Sequence, residues 1–213
     1  MSKKRTGARK AKFNSMKQSG YRQDSYFHKA KQENYASRAV YKLEQIDKRF
    51  RVFNSGARVL DLGCAPGSWS QYAAKKTGAS GFVVGVDLLP VTAVVPHAEF
   101  VQGDIYELSL DPELFPEHGF DVVMSDMAPN TSGVKKLDQL RSASLVEEAL
   151  RLALIYLRPG GHFVAKIFMG PDEPAVFEQM VATFNKAVRY KPEASRSESM
   201  ELYLVGLGLK EGA

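Results

Sequence analysis

Arg58-Val-Leu-Asp-Leu-Gly-Cys-Ala-Pro-Gly-Ser-Trp69 runs from an apolar strand through a glycine-punctuated turn into a helix. Val59, Leu60 and Leu62 supply the strand, Gly63, Pro66 and Gly67 the turn, and Gln71 to Lys76 continues the helix. Glycines let the backbone approach a ligand closely, and a helix N-terminus offers free N–H groups. A nucleoside cofactor is commonly held at such a junction, and the glycine spacing separates two ligand classes. A dinucleotide fingerprint needs the order G-x-G-x-x-G, whereas Ala65 and Ser68 stand at its second and third positions. Pyrophosphate is thereby disfavoured. The alternative is S-adenosylmethionine, whose amino-acid end needs polar backbone near the loop and whose ribose diol needs an acid at the end of the next strand.

That acid is present. Gly81-Phe-Val-Val-Gly-Val-Asp87 is a second apolar strand ending in a carboxylate twenty residues after Gly67, and an ionised Asp accepts from both ribose hydroxyls. A third strand, Ala98-Glu-Phe-Val-Gln-Gly-Asp104, ends in an acid placed to accept from the adenine amino group. A single strand-terminal Asp is more often a turn former or helix cap, but two in series favour the ligand reading.

Composition bounds the rest. A chain of 213 residues with 44% hydrophobic content suits one α/β domain with an extension. No run of about 18 apolar residues is present to span a membrane, and the start lacks an apolar signal-peptide core. The single cysteine, Cys64, excludes an internal disulfide, gives no metal cluster and fits a reducing compartment, so a cytoplasmic protein is expected. As a small residue in the turn, Cys64 is read as structural. Nothing in the sequence requires more than a monomer.

Charge is concentrated at one end. Residues 1–51 hold 15 Lys/Arg against 4 Asp/Glu, a balance of +11, and the remaining 162 residues hold 14 against 20, a balance of −6. Such asymmetry reads as an arm that meets a polyanion, attached to a domain that does not need one, and nucleic acid is the expected partner. Residues 1–20, with seven Lys/Arg and little apolar content, are expected to form a disordered basic arm. A solvated tail or a transit peptide is the plainer alternative, although the segment has little apolar periodicity. Residues 21–51 are expected to form an RNA-contacting extension, since Tyr26-Phe-His-Lys29 mixes aromatics with bases, although the same composition equally suits an arm packed on the domain; Ser37 is the expected N-cap of a helix to Phe50. Val40, Leu43, Ile46 and Phe50 make its buried stripe, with Lys42 on the border.

Residues 52–213 are expected to form the catalytic domain, in which strands and helices alternate: strands at 58–62, 82–87, 98–102, 119–125, 161–168, 187–191 and 201–208, and helices at 67–76, 136–157 and 173–185. This pattern predicts a mostly parallel sheet with helices on both faces, and a hairpin between the last two strands sets the final one antiparallel. Ligands of such sheets bind outside the carboxyl ends of the strands. Asp126 follows the strand Phe120-Asp-Val-Val-Met-Ser125, where an Asx turn is the bland alternative. Lys166 interrupts the otherwise apolar Gly161-His-Phe-Val-Ala-Lys-Ile-Phe168, and a buried lysine is costly unless paired; a snorkelling strand-end lysine is its bland alternative. The loop Asp126-Met-Ala-Pro is not the Asn/Asp-Pro-Pro-aromatic loop of base-amine methylation, and no Pro-Cys nucleophile for pyrimidine C5 is present.

Five segments together resemble the FtsJ-type heat-shock ribosomal RNA large-subunit 2′-O-methyltransferases: Ser37-Arg-Ala-Val-Tyr-Lys-Leu43, Val59 to Gln71, Val86-Asp-Leu-Leu-Pro90, Met124-Ser-Asp-Met-Ala-Pro-Asn130 and Glu201-Leu-Tyr203. The resemblance spans about Tyr21 to Gly208. It departs at Cys64, where the family has a small alanine, and at Ser68, where a second glycine is usual. It implies a Rossmann-like class I fold with seven strands ordered 3-2-1-4-5-7-6, S-adenosylmethionine as cofactor, and no metal. It also implies a tetrad of Lys42, Asp126, Lys166 and Glu201, with cofactor contacts at Gly67, Trp69, Asp87, Asp104 and Asp126. The implied reaction is 2′-O-methylation of a uridine in the A-loop of 23S ribosomal RNA, late in assembly of the large ribosomal subunit. The partner is then ribosomal RNA or that subunit.

A ribose 2′-hydroxyl is a weak acid and must shed its proton as oxygen attacks the methyl carbon. Lys166 is the candidate base; desolvation and the Lys42 cation favour its neutral form, and Asp126 and Glu201 favour the ammonium. Other readings are a methyltransferase for another acceptor such as transfer RNA, a noncatalytic assembly factor, which has no need of the four charged residues together, and an NAD-linked oxidoreductase, disfavoured by the glycine spacing.

Overall fold

The computed structural model describes residues 25–108, 114, 116 and 118–212, so the basic arm at 1–20 lies outside the described residues. Helical residues 25–32 (α1) precede α2 (Val40–Phe50), and the sheet then begins with β1 (Arg58–Leu62). There follow α3 (Ser68–Thr77), β2 (Phe82–Asp87), β3 (Ala98–Gln102), a 3₁₀ turn at Ile105–Glu107 and β4 (Phe120–Ser125). The chain continues through α4 (Lys135–Tyr156), β5 (Leu157–Phe168), α5 (Glu173–Thr183), β6 (Phe184–Tyr190) and β7 (Glu201–Leu209). The seven strands are ordered β3-β2-β1-β4-β5-β7-β6. All neighbours from β3 to β5 pair in parallel, and β7 runs antiparallel to both β5 and β6. The expected α/β sheet, with its order and its antiparallel last strand, is what the structure shows.

Because side chains alternate across a sheet, each strand feeds two cores. Leu60, Leu62, Val84, Val86, Val123, Phe163, Ala165, Ile167 and Leu204 pack under α4 and α5. Val59, Val83, Val122, Met124, Val164, Tyr203 and Val205 face the other way, against α2 and α3. The same parity puts Asp126, Lys166, Glu201 and Tyr203 on the α2 side, so a side chain from α2 reaches them without crossing the sheet.

The largest departures from the sequence reading lie at three boundaries, the others shifting by a single residue. The helix expected from Ser37 starts at Val40 with Ala39 at its cap and no capping side chain; Ser37 Oγ instead accepts from Ala39 N (3.2 Å) and pairs with Ser68 Oγ (2.8 Å). Strand β5 begins at Leu157, four residues early, because the chain resumes pairing with Phe120 across an irregularity before His162 meets Val122. Helix α5 stops at Thr183 and β6 starts at Phe184, since the Phe184 ring is buried against Phe163 at 6.1 Å. A Cβ on Gly206 would lie 2.7 Å from that ring, so glycine leaves room for it. This packing outweighs helical periodicity.

Candidate active site

The turn after β1 is fastened to the end of β2: Gly63 N and Cys64 N both donate to Val86 O (2.8 and 3.2 Å). Gly63 has φ of 75° and comes so close to Met127 that a Cβ would lie 2.1 Å from its Cγ, a contact only glycine allows. Between these segments opens a cavity of about 610 Å³, lined by Gly63 and Ala65, by Asp87 to Leu89, by Gly103 to Tyr106 and by Asp126 to Asn130. The volume and the strand-end position suit a small-molecule ligand.

Asp87 ties the loop after β1 to the end of β2 at the cavity wall. Its Oδ2 accepts from Ala65 N and its Oδ1 from Leu89 N, both at 2.8 Å, and each oxygen keeps a lone pair for hydroxyls of a guest. Asp104 caps the 3₁₀ turn by accepting from Tyr106 N (3.0 Å), so the cap alternative and the place in the cavity wall hold together. Gly67 and Trp69 lie outside this wall. Gly67 caps α3 at φ 112°, where a Cβ would meet Ala93 and Val91. Trp69 is buried, its ring 5.9 Å from that of Tyr203 and its Nε1 donating to Ala39 O (3.1 Å).

Beneath the loop, the buried Asp61 accepts from Ser70 Oγ at 2.6 Å. Burial raises its carboxyl to about 7, the Ser70 bond opposes the shift, and the charges of Asp126 and Asp87 add to it. Burial, with Asp61 and Asp87 nearby, also pushes the Cys64 thiol up, so it stays protonated and behaves as a packing residue.

The four charged residues singled out by the sequence come together at one sheet edge as two ion pairs. Lys166 Nζ stands 3.2 Å from Asp126 Oδ1 and also donates to the Asp126 carbonyl. Lys42, from α2, donates to both carboxylate oxygens of Glu201 at 2.9 Å. Lys166 is 7% exposed at its side chain and Lys42 12%, so each lysine is answered by the carboxylate that burial demands. The β5–β7 register explains the convergence, with Lys166 opposite Tyr203 and Phe168 opposite Glu201.

Tyr203 joins the pairs and was not picked out as a site residue from the sequence. Its hydroxyl donates to Asp126 Oδ1 at 2.8 Å, and its ring lies 5.9 Å from Lys42 Nζ. Burial first, and then Asp126 and Glu201, hold its phenol well above the usual range, so it serves as a proton-bearing donor. The signal was present: Tyr203 stands two residues after Glu201 on the same strand face.

A sheet in this order, with an acidic nucleoside-sized cavity across the parallel strand ends, defines the Rossmann-like methyltransferase fold. The sequence model of the FtsJ-like methyltransferase family matches residues 35–209. The chain belongs to the FtsJ-like methyltransferase family.

Relatives named ribosomal RNA large subunit methyltransferase E include one from Bdellovibrio bacteriovorus, 50% identical over 191 residues and covering 88% of this chain and 97% of that one. Another, from Oleidesulfovibrio alaskensis, is 52% identical over 190 residues, covering 88% and 92%. A crystal structure of a ribosomal RNA methyltransferase from Plasmodium falciparum superposes with a TM-score of 0.74 at 26% identity, covering 82% of this chain and 98% of that one. An rRNA-methylase structure from Clostridium thermocellum, at 16% identity and a TM-score of 0.56 over 78% and 97%, shares the fold.

Proposed function

We propose that this protein transfers the methyl group of S-adenosylmethionine to a ribose 2′-hydroxyl of large-subunit ribosomal RNA, at a uridine of the 23S A-loop late in subunit assembly. The observation that carries the reading is the pair of lysine–carboxylate bridges at the sheet edge, reached from the cavity through Asp126. The relatives named for large-subunit ribosomal RNA supply the substrate class.

The cavity residues fit the cofactor. Asp87 would hold the ribose hydroxyls, Asp104 the adenine amino group, and the backbone at Gly63 and Ala65 the amino-acid end, with Gly67 and Trp69 keeping the loop in shape. When bound, the cofactor supplies a methyl group on a positively charged sulfur, an activated donor. The protein then needs to position the ribose and take one proton. Lys166 would accept the 2′-hydroxyl proton as the oxygen bonds to the methyl carbon and the carbon–sulfur bond breaks, the sulfur leaving as a neutral thioether. Asp126 fixes the Lys166 amine from two sides, by carboxylate and by carbonyl. Lys42 and Glu201, locked on each other, border the ribose and orient it.

The test is incubation with methyl-labelled S-adenosylmethionine and, in parallel, undermethylated large subunits, free ribosomal RNA and transfer RNA, followed by nucleoside mapping. Label in 2′-O-methyluridine of large-subunit RNA is expected; label on a base would overturn the mechanism. Lys166→Ala is expected to slow single turnover by about 10²- to 10⁴-fold, the usual worth of a general base.

A further inference from the structure

The first turn of α3 follows directly on the cofactor loop, and each of its leading residues, Ser68 to Gln71, holds a partner outside the helix. Ser70 is bound to β1 through Asp61 (2.6 Å). The other three reach the segment 34–39 that leads into α2. Ser68 Oγ pairs with Ser37 Oγ (2.8 Å), and Trp69 Nε1 donates to Ala39 O (3.1 Å). Gln71 Oε1 accepts from Ala36 N (2.9 Å) while its Nε2 donates to Asn34 O (3.2 Å).

This seam ends on the backbone of Lys42. Ala39 O, which the Trp69 indole binds, also accepts from Lys42 N (3.0 Å), so the two share one acceptor. Ser37 Oγ in turn accepts from Ala39 N (3.2 Å), which fixes the same residue on its other side. Ser68 is 4% exposed, so water does not readily replace a lost partner there. Burial of Val40, Leu43 and Ile46 already holds the body of α2 against the core. Its leading end, from which Lys42 extends to Glu201, is tied to the helix of the cofactor loop.

We propose that Ser37 and Ser68 are positioning residues for methyl transfer: their hydroxyl bridge, with the Trp69–Ala39 bond beside it, sets Lys42 in one frame with the loop that holds the methyl donor. The proposal rests on the reading of Lys42 as a residue that orients the acceptor ribose. Donor and acceptor are held by different elements, the donor by the loop after β1 and the ribose by a sheet edge reached from α2. In-line transfer tolerates little error between them, since a misplacement of about 1 Å costs up to about 10²-fold in rate. Neither serine lines the cavity or bonds to the ion pairs, so both act through what they hold.

The experiment compares Ser37→Ala, Ser68→Ala, the double variant and Ser37→Thr, each in wild type and on a Lys42→Ala background. Single-turnover methyl transfer is measured at saturating cofactor and undermethylated large-subunit RNA, and calorimetry gives cofactor affinity. Acrylamide quenching of ligand-free protein reads the seam without any reaction, because Trp69 is the single tryptophan of the chain. Each alanine variant is expected to slow transfer by about three- to tenfold, the worth of one hydrogen bond, and to keep cofactor affinity. The double variant should lose little more than the larger single loss, since either substitution breaks the same bridge. Ser37→Thr keeps the hydroxyl and should keep the rate, and quenching of Trp69 should rise in the alanine variants alone. On the Lys42→Ala background the serine substitutions should change the rate by less than about twofold. Wild-type rates in both alanine variants, a loss of full size on the Lys42→Ala background, or a loss of cofactor affinity that accounts for the loss of rate would overturn the positioning role. Label on a base by wild type would instead overturn the ribose reading, and the comparison of the two backgrounds would still decide whether the serines act through Lys42.

Discussion

Tyr203→Phe removes a single oxygen atom and with it the bond from the phenol to Asp126 Oδ1, 2.8 Å long in a site where the tyrosine is fully buried. The ring stays, so its packing against Trp69 at 5.9 Å is preserved. A hydrogen bond to a charged group contributes roughly 1.5–3 kcal/mol. The Asp126 side chain is 18% exposed and recovers part of the loss from water, so about 2 kcal/mol is the expected cost, or about thirtyfold in rate. The assay is single-turnover methyl transfer at saturating RNA, alongside calorimetric cofactor binding, which should be unchanged because Tyr203 does not line the cavity. The tyrosine acts through Asp126 on Lys166, so Tyr203→Phe should add little to a Lys166→Ala background. A Tyr203→Phe rate within twofold of wild type, or full additivity with Lys166→Ala, would refute the linkage.

Asp61→Asn tests the buried carboxyl: a group protonated up to about 7 when folded, against 3.8 in its ordinary state, makes the folded state bind the extra proton, so stability falls as pH rises from about 4 to 7. The amide oxygen can still accept from Ser70, and thermal melts should show the variant gaining over wild type by at most about 4 kcal/mol above pH 7 and converging with it near pH 4; parallel curves would refute this. Asp87→Asn puts an amide donor opposite Ala65 N or Leu89 N, and cofactor affinity measured by calorimetry should drop by about 10- to 100-fold; a change under threefold would count against its role. Deleting residues 1–20 removes seven Lys/Arg and should flatten the salt dependence of RNA binding by up to about 5 in slope; equal slopes would exclude the arm from binding.

The parallel half of the fold was legible because fully buried strands write themselves as short apolar runs. Val83 to Val86 and Val122 to Met124 are such runs, and the strand-end acids Asp87 and Asp126 mark where they stop. Long-range pairing was less legible. Lys166 announces only that a buried amine needs a partner, and which carboxylate answers depends on the β4–β5 register. Tyr203 shares a strand face with Glu201, which marks its side of the sheet, but its bond to Asp126 spans 77 residues and so the partner is not legible locally. Trp69 stands in the loop stretch and so reads as a ligand contact, whereas its ring turns into the core toward Tyr203 and Ala39. Boundary shifts at Ser37 and Phe184 have the same origin, since tertiary partners, Ser68 and Phe163, outcompete local propensity.

The place of β7 between β5 and β6 has a consequence for how the protein comes into being. The ribosome delivers Lys42 early and Glu201 159 residues later, and β6 has β7 as its sheet partner. A nascent chain that has reached Tyr190 carries the cofactor loop, Asp87, Asp126 and Lys166, but β5 still shows an open edge and Lys42 has no carboxylate. The final strand then inserts like a keystone, closing the sheet and completing the charge set in one event. A chain that stops at Tyr190 therefore lacks the Lys42–Glu201 bridge even where its parallel half has formed, and the last strand to leave the ribosome is the one that completes the charge set.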